Sequence, residues 1–438
     1  MRDRKLYSIR FTREALLDRE IPQGATLYPG VEYVVLDRQL ELMLKRCKEM
    51  GAELYETGEE IQCTEWDRSS SLDGKRCLFI ALGGIGDALS HTALIAEAKR
   101  RYPASEWTVS CSLGHSGNVW LGNPNIWGMS PCDFPIPRDY WESFDYHFIP
   151  MGLIAYLRDR DQPNFYDILF QWMFSSEVPA PRMRPEIYLD KLEYMMTWQT
   201  LRPDIDWAAM AGSIGFPKGH IVIQINSSKA ARNVPMDLWI ETIKFLQRRF
   251  PQQTIFIFGE GKYAFDFAER LKSESFYWMN VQGRLAFPFY FNFIDMTTGK
   301  HRVEHVQLNM RMPGDFGKGE TIYAMNYMLT LRGIACIVRG AAFCLCPDSM
   351  LVHLAAANGV SVPSVSLYGA FNPKWRTASY PKNIGIYKPV ACPVAPCSWH
   401  EEGFPPECPD RDNRSYCEVM NAITIGDIMI AVGDVVEG

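Results

Sequence analysis

The chain has 438 residues, more than one hydrophobic core usually holds, so two or three domains are expected. Its net charge of −6 and its short basic runs (Lys99, Arg100, Arg101; Arg248, Arg249) argue against a phosphate-tracking nucleic-acid binder. No stretch reaches the roughly 18 uninterrupted apolar residues of a membrane span, and "MRDRKLYSIRFTREALLDRE" lacks a signal-peptide core, so a cytoplasmic protein is expected.

Residues 1–74 read as a small α+β accessory domain: strand-like "KLYSIRF" and "VEYVVLD", then a helix in "RQLELMLKRCKEM". From Cys77 the pattern becomes strand (77–82), glycine turn, helix (about 87–101) and strand (106–111), the alternation that builds a parallel sheet covered by helices. A second such series starts at "HIVIQI" (220–225) and runs through "MDLWIETIKFLQRRF", "TIFIFG" and "YAFDFAERLKS". It continues with a helix at about 324–340, a short strand "AFCLC", a helix from Asp348 and "SVPSVSLYG". The expected fold is therefore α/β, with two Rossmann-like doubly wound domains, 75–210 and 211–388, facing a cleft at the carboxyl ends of their strands. Residues 389–438 add a cysteine-rich loop and a C-terminal helix. The aromatic-rich stretch 114–200 is expected mainly to fill cores.

Two turns carry the chemistry. Gly83, Gly84 and Gly86 follow the first strand and let the backbone bend sharply toward a ligand, and they deliver Asp87 to the start of the helix. Leu89 stands where a dinucleotide fingerprint needs a third small residue, so a nicotinamide cofactor is not expected. On local sequence alone Asp87 is an N-terminal helix acid. The second turn is Pro347-Asp348-Ser349, a strong helix start, with His353 one turn further on the same face. Alone, a histidine there is more often a satisfied core residue.

Together, "GGIGDALSHTALIAEAKRRYP" and "PDSMLVHLAAANGVSVPSVSLYG" resemble the two signatures of glycosyltransferase family 9, the heptosyltransferases, and "IVIQINSSKAARNVPMDLWIETIKFLQRRFPQQTIFIFGEG" is similar to the segment between them. The resemblance implies a GT-B fold and an inverting transfer from a nucleotide sugar, ADP-heptose in the best-known members, with no catalytic divalent metal. It makes Asp87 the general base and places the donor diphosphate on the backbone amides of Asp348, Ser349 and Met350, with His353 beneath. Arg232 falls where the family has a lysine that neutralises the leaving diphosphate. Lys229 and Glu260 are further donor-binding candidates, Glu260 for the ribose. Met350 replaces a family glycine and Asn233-Val234-Pro235 replaces a tryptophan-proline context, which leaves the donor sugar open.

Cys392, Cys397, Cys408 and Cys417, with His400 nearby, occupy a Pro-rich loop. Four thiolates there suit a structural zinc or iron, with plain thiols or disulfides as the alternatives. The autotransporter heptosyltransferases, a protein-modifying branch of the family, resemble this chain in such a site and in an added N-terminal domain. The acceptors that follow are a protein serine or threonine, or a lipopolysaccharide core, and a homo-oligomer is expected. A modified nucleic-acid base as acceptor, or a non-catalytic nucleotide-sugar-binding or assembly protein, are the rival readings.

Overall fold

The computed structural model describes residues 6–11, 32–36, 55–61, 63–81, 83–111, 116–130, 136–150, 164–175, 184–201, 218–227, 230–259, 261–273, 290–294, 301–305, 321–325, 330–397, 408 and 416–437. The helix expected in "RQLELMLKRCKEM" lies outside them.

The N-terminal segment supplies β1 (Leu6–Phe11), β2 (Glu32–Leu36) and β3 (Tyr55–Ile61), with β1 antiparallel to both others. The next part alternates β4 (Arg76–Ile80), α1 (Ile85–Arg101), β5 (Glu106–Ser110) and β6 (Gly128–Ser130). There follow β7 (Ile136–Pro137), β8 (Tyr146–Phe148), α2 (Phe165–Phe174) and α3 (Lys191–Leu201). Strands β6-β5-β4-β8 form one parallel sheet. Strand β7, however, pairs antiparallel with β2, so the N-terminal sheet has the order β3-β1-β2-β7 and takes one strand from the middle of the next segment.

Alternation along β4 shows why the two sheets stay together. Cys77 and Phe79 pack with Leu89 and Leu94 of α1, whereas Leu78 and Ile80 point the other way and pack with Val34, Ile61, Ile136, Trp141 and Phe144. One face of this parallel sheet is thus covered by helices and the other by the N-terminal sheet.

The second half comprises β9 (His220–Gln224), α4 (Met236–Arg249), β10 (Ile255–Gly259), α5 (Gly261–Ser273) and a hairpin of β11 (Tyr290–Ile294) with β12 (His301–His305). It continues with β13 (Thr321–Met325), α6 (Leu331–Arg339), β14 (Ala341–Pro347), α7 (Met350–Ala356), β15 (Ser364–Tyr368) and β16 (Asn383–Tyr387), and ends with α8 (Ile425–Glu437). Its six-stranded parallel sheet runs β13-β10-β9-β14-β15-β16. In chain order within the half that is 3-2-1-4-5-6, the doubly wound arrangement.

The helix expected at about 324–340 is corrected here. Residues Thr321–Met325 are a strand, because "TIYAM" completes a row beside β10, and the helix begins only at Leu331. Thr330 fixes that start, its hydroxyl accepting the Gly333 N–H at 3.1 Å. The aromatic-rich stretch does fill cores: Trp120, Trp141, Tyr166 and Trp198 are fully buried, while Trp127 is exposed.

One apolar cluster spans both halves, joining Leu89 and Leu94 of α1 to Leu351, Val352 and Leu354 of α7 and to Ile334 and Ile337 of α6. Among the described residues no helix is long and apolar enough to cross a membrane.

Candidate active site

In an open parallel sheet a ligand crevice forms outside the carboxyl ends of the two neighbouring strands whose connections leave in opposite directions. Here those strands are β4 and β8 in the first half and β9 and β14 in the second. The chain leaving β4 is the glycine turn with Asp87. The chain leaving β9 leads to Arg232, and the chain leaving β14 is Asp348-Ser349-Met350. Both turns singled out in the sequence therefore sit at switch points.

Asp87 folds back onto its own turn. Its Oδ2 accepts the Gly84 N–H at 3.0 Å, satisfying one of the donors that a helix start leaves open. Gly83 makes this possible: its φ is +114°, and a Cβ there would stand 2.6 Å from Asp87 Oδ2. Gly86 has a different reason. A Cβ on it would meet the His353 ring, 3.1 Å from Cδ2, so the first turn of α1 can rest directly on α7.

In the second half, Arg232 is held by Asp348. Its Nη1 donates to the Asp348 carbonyl at 3.2 Å and lies 3.9 Å from Asp348 Oδ2. Among the described residues, Arg232 Nε and Asp348 Oδ2 are buried with no hydrogen-bond partner. Burial works against the Arg232 charge, which Asp348 and Asp87 support and Arg376 opposes. Asp87 and Arg232 thus lie within electrostatic range across the cleft, although they belong to different halves.

Of the three amides expected to take a diphosphate, that of Asp348 is corrected: it donates to the Leu367 carbonyl at 2.9 Å, as part of the β14–β15 ladder. Ser349 and Met350 are left for the role. The Ser349 hydroxyl donates to Gln224 Oε1 at 2.8 Å, which ties the two strand ends together. His353 is buried, its ring pulled down to about 4 chiefly by loss of solvent, so it is neutral at ordinary pH. Lys229 and Glu260 lie outside the described residues.

The structure adds a residue that the sequence did not suggest. Arg376 is buried with its guanidinium 4.7 Å from the Phe371 ring centre and 5.4 Å from that of Phe165, on the opposite half. It is near enough to oppose the charges of Arg232 and His353. The only hint in the sequence is a lone arginine inside "NPKWRTAS", which has no meaning until the halves meet.

Three of the C-terminal thiols lie near one another. None of Cys392, Cys397, Cys408 and Cys417 is in a disulfide. Burial raises the Tyr387 phenol, and Cys397, Cys417 and Cys392 add to it, so these three share one neighbourhood. The Cys397 N–H donates to the Ala370 carbonyl at 3.1 Å, and Cys417 Sγ lies 3.4 Å from where a Gly369 Cβ would be. In donor type this set suits zinc or iron. Among the described residues, however, no three His, Cys, Asp or Glu side chains stand as a metal-holding group, and His400 lies outside them.

Residues 319–401, from β13 past β16, match the model of glycosyltransferase family 9 (heptosyltransferase). That stretch of the second half is similar to family 9 glycosyltransferases. No curated protein matches the chain. Among solved structures, ADP-heptose lipopolysaccharide heptosyltransferase II of E. coli is 14% identical, with TM-score 0.52 over 83% of this chain and 98% of that one. The family 9 glycosyl transferase of Veillonella parvula is 13% identical, with TM-score 0.55 over 85% of this chain and 99% of that one. TibC of enterotoxigenic E. coli, an iron-containing dodecameric glycosyltransferase, is 13% identical, with TM-score 0.47 over 98% of this chain and 91% of that one. The GT-B fold expected from the sequence is the fold this chain shares with the first two of these structures.

Proposed function

We propose that the chain transfers a sugar from a nucleoside-diphosphate donor, ADP-heptose or a close relative, to an acceptor hydroxyl, with inversion. Asp87 takes the hydroxyl proton as the acceptor oxygen attacks the anomeric carbon. The bond from that carbon to the diphosphate oxygen breaks, its electron pair leaves with the diphosphate, and Arg232 meets the developing charge. The observation that carries this reading is the buried Nε of Arg232, without a hydrogen-bond partner among the described residues, at the switch point of the second half and within range of Asp87. An unmatched buried donor costs about 1–3 kcal/mol, and a bound diphosphate offsets it. Arg232 and the amides of Ser349 and Met350 supply positive character that other transferases take from a divalent cation, so the reaction is expected to proceed in chelator.

The deciding experiment is calorimetry with ADP, UDP and GDP, with and without chelator, followed by transfer assays of wild type and Asp87→Asn. Loss of ADP binding on chelation, or full activity of the variant, would overturn the assignment. The acceptor is read as a protein serine or threonine or a lipopolysaccharide core, and mass spectrometry of acceptors from cells making active and Asp87→Asn protein separates these. The hydrogen bond from Gly84 to Asp87 favours the rival view of Asp87 as a cap only, and that same variant decides it.

The thiol cluster is proposed to hold one structural zinc or iron, supported by three cysteines sharing one neighbourhood in a Pro-rich loop. Cys397→Ser should lose the metal and lower the melting temperature, as read by elemental analysis and calorimetry. A cytoplasmic homo-oligomer is also proposed, in keeping with Met429, Ile430 and Val436 exposed on α8. Sedimentation of wild type and Ile430→Glu tests it.

A further inference from the structure

Four buried side chains join the two halves in single file. His353 Nδ1 is 2.6 Å from Tyr380 Oη, and Tyr380 Oη is 2.5 Å from Tyr166 Oη. Tyr166 donates to Ser90 Oγ at 3.4 Å, and Ser90 donates to the Gly86 carbonyl at 2.9 Å. His353 and Tyr380 belong to the donor half, Tyr166 and Ser90 to the acceptor half. The file closes on itself, because its last acceptor is Gly86, whose α-carbon faces the Cδ2 and Nε2 edge of the same His353 ring.

The protons can be counted. Burial keeps both phenols protonated, Tyr166 being pushed up to about 12 and Tyr380 well above its usual value, and keeps the imidazole neutral. Each of the three hydroxyls and the ring then carries one proton, four protons for four contacts, and the terminal carbonyl has none to give. Only one direction fills every contact: Nδ1–H to Tyr380, Tyr380 to Tyr166, Tyr166 to Ser90, Ser90 to the Gly86 carbonyl. With Tyr380 donating to Nδ1 instead, Tyr166 must donate to Tyr380 and its contact with Ser90 has no proton.

We propose that Tyr380 and Tyr166 are positioning residues that hold His353 as its Nδ1–H tautomer, so that Nε2 is a hydrogen-bond acceptor beside the turn that carries Asp87. His353 then serves as an acceptor in the site and not as a proton donor to the leaving group, although it lies under the donor loop. The same file locks the first turn of α1 onto α7 and so fixes Asp87 relative to the donor half. The consequence for turnover rests on the transferase reading above; the tautomer does not.

The test is long-range proton–nitrogen correlation on protein labelled with nitrogen-15 histidine, near neutral pH, with His353→Gln assigning the signal. The expected pattern is a protonated Nδ1 and a bare Nε2. In Tyr380→Phe the Nδ1–H loses its acceptor, so the ring should switch to Nε2–H, and kcat should fall about tenfold with donor KM within about twofold. Tyr166→Phe keeps the contact between Tyr380 and His353 and serves if Tyr380→Phe does not fold; it should lower kcat by a smaller factor with KM again held. An Nε2–H ring in wild type, or a tautomer unmoved in Tyr380→Phe, overturns the proposal. A wild type with the Nδ1–H ring and no transferase activity overturns the transferase reading alone.

Discussion

Asp87 has two partners to serve, the Gly84 N–H on one side and the cleft on the other. Asn at this position keeps an oxygen for the amide but cannot take a proton. Asp87→Asn is therefore expected to lower turnover roughly 100-fold while changing stability by less than about 1 kcal/mol, with donor affinity retained, as measured by steady-state kinetics, thermal melting and calorimetry. Gly83→Ala tests the same carboxylate from behind. Its Cβ would stand 2.6 Å from Asp87 Oδ2 at a φ of +114°, so either the turn or the carboxylate must move. The expected result is a loss of about 1–3 kcal/mol in denaturant unfolding together with a fall in kcat at nearly constant donor KM. Arg232→Ala should weaken diphosphates far more than nucleosides in calorimetry, because the contact proposed for the guanidinium is with the charged part of the donor. The glycine turn and Asp87 were legible in the sequence because they crowd into five residues. Arg376, Tyr166 and Tyr380 were not, since each has a partner more than 200 positions away on the other half, as in the hydrogen bond between Tyr380 and Tyr166 and the stacking of Arg376 on Phe165.

Among the elements, α6 fastens the halves through one side chain. Arg332, 7% exposed, donates to the Glu193 carboxylate from Nε and, at 2.7 Å, from Nη2. It also donates to the carbonyls of Asn118 at 3.1 Å, Leu121 at 2.8 Å and Tyr188. No leucine could satisfy those acceptors, so Arg332→Leu is expected to cost about 3–5 kcal/mol in denaturant unfolding. The alternation of strand and helix was readable along 77–111 and 220–273 because buried parallel strands are short apolar runs between amphipathic helices. Strand β3, "YETGEEI", was not, having polar residues at most positions and gaining its place from pairing with β1. Strand β7 is two residues long and carries no periodicity at all.

At the scale of the whole molecule, burial of neutral histidines sets a lower limit on pH. His91, His220 and His353 are each pulled down to about 4 by loss of solvent. Between that value and the ordinary value near 6.5, the unfolded chain binds protons that the folded chain does not, so stability falls as pH is lowered through this window and the loss levels off below about 4. At pH 5 each group should cost about 2 kcal/mol relative to neutral pH, and melting curves between pH 7 and pH 5 should show it. The paired doubly wound halves were foreseeable from the chain, but the seating of β1, β2 and β3 was not, because nothing local announces that a sheet will borrow its fourth strand from Ile136–Pro137 and its floor from Leu78 and Ile80. This borrowing bears on synthesis. Chains generally fold domain by domain from the amino end as they leave the ribosome. Here β2 waits with one edge unpaired until Ile136 and Pro137 have been made, so this sheet is completed only after the strands from Arg76 to Ser130 have appeared.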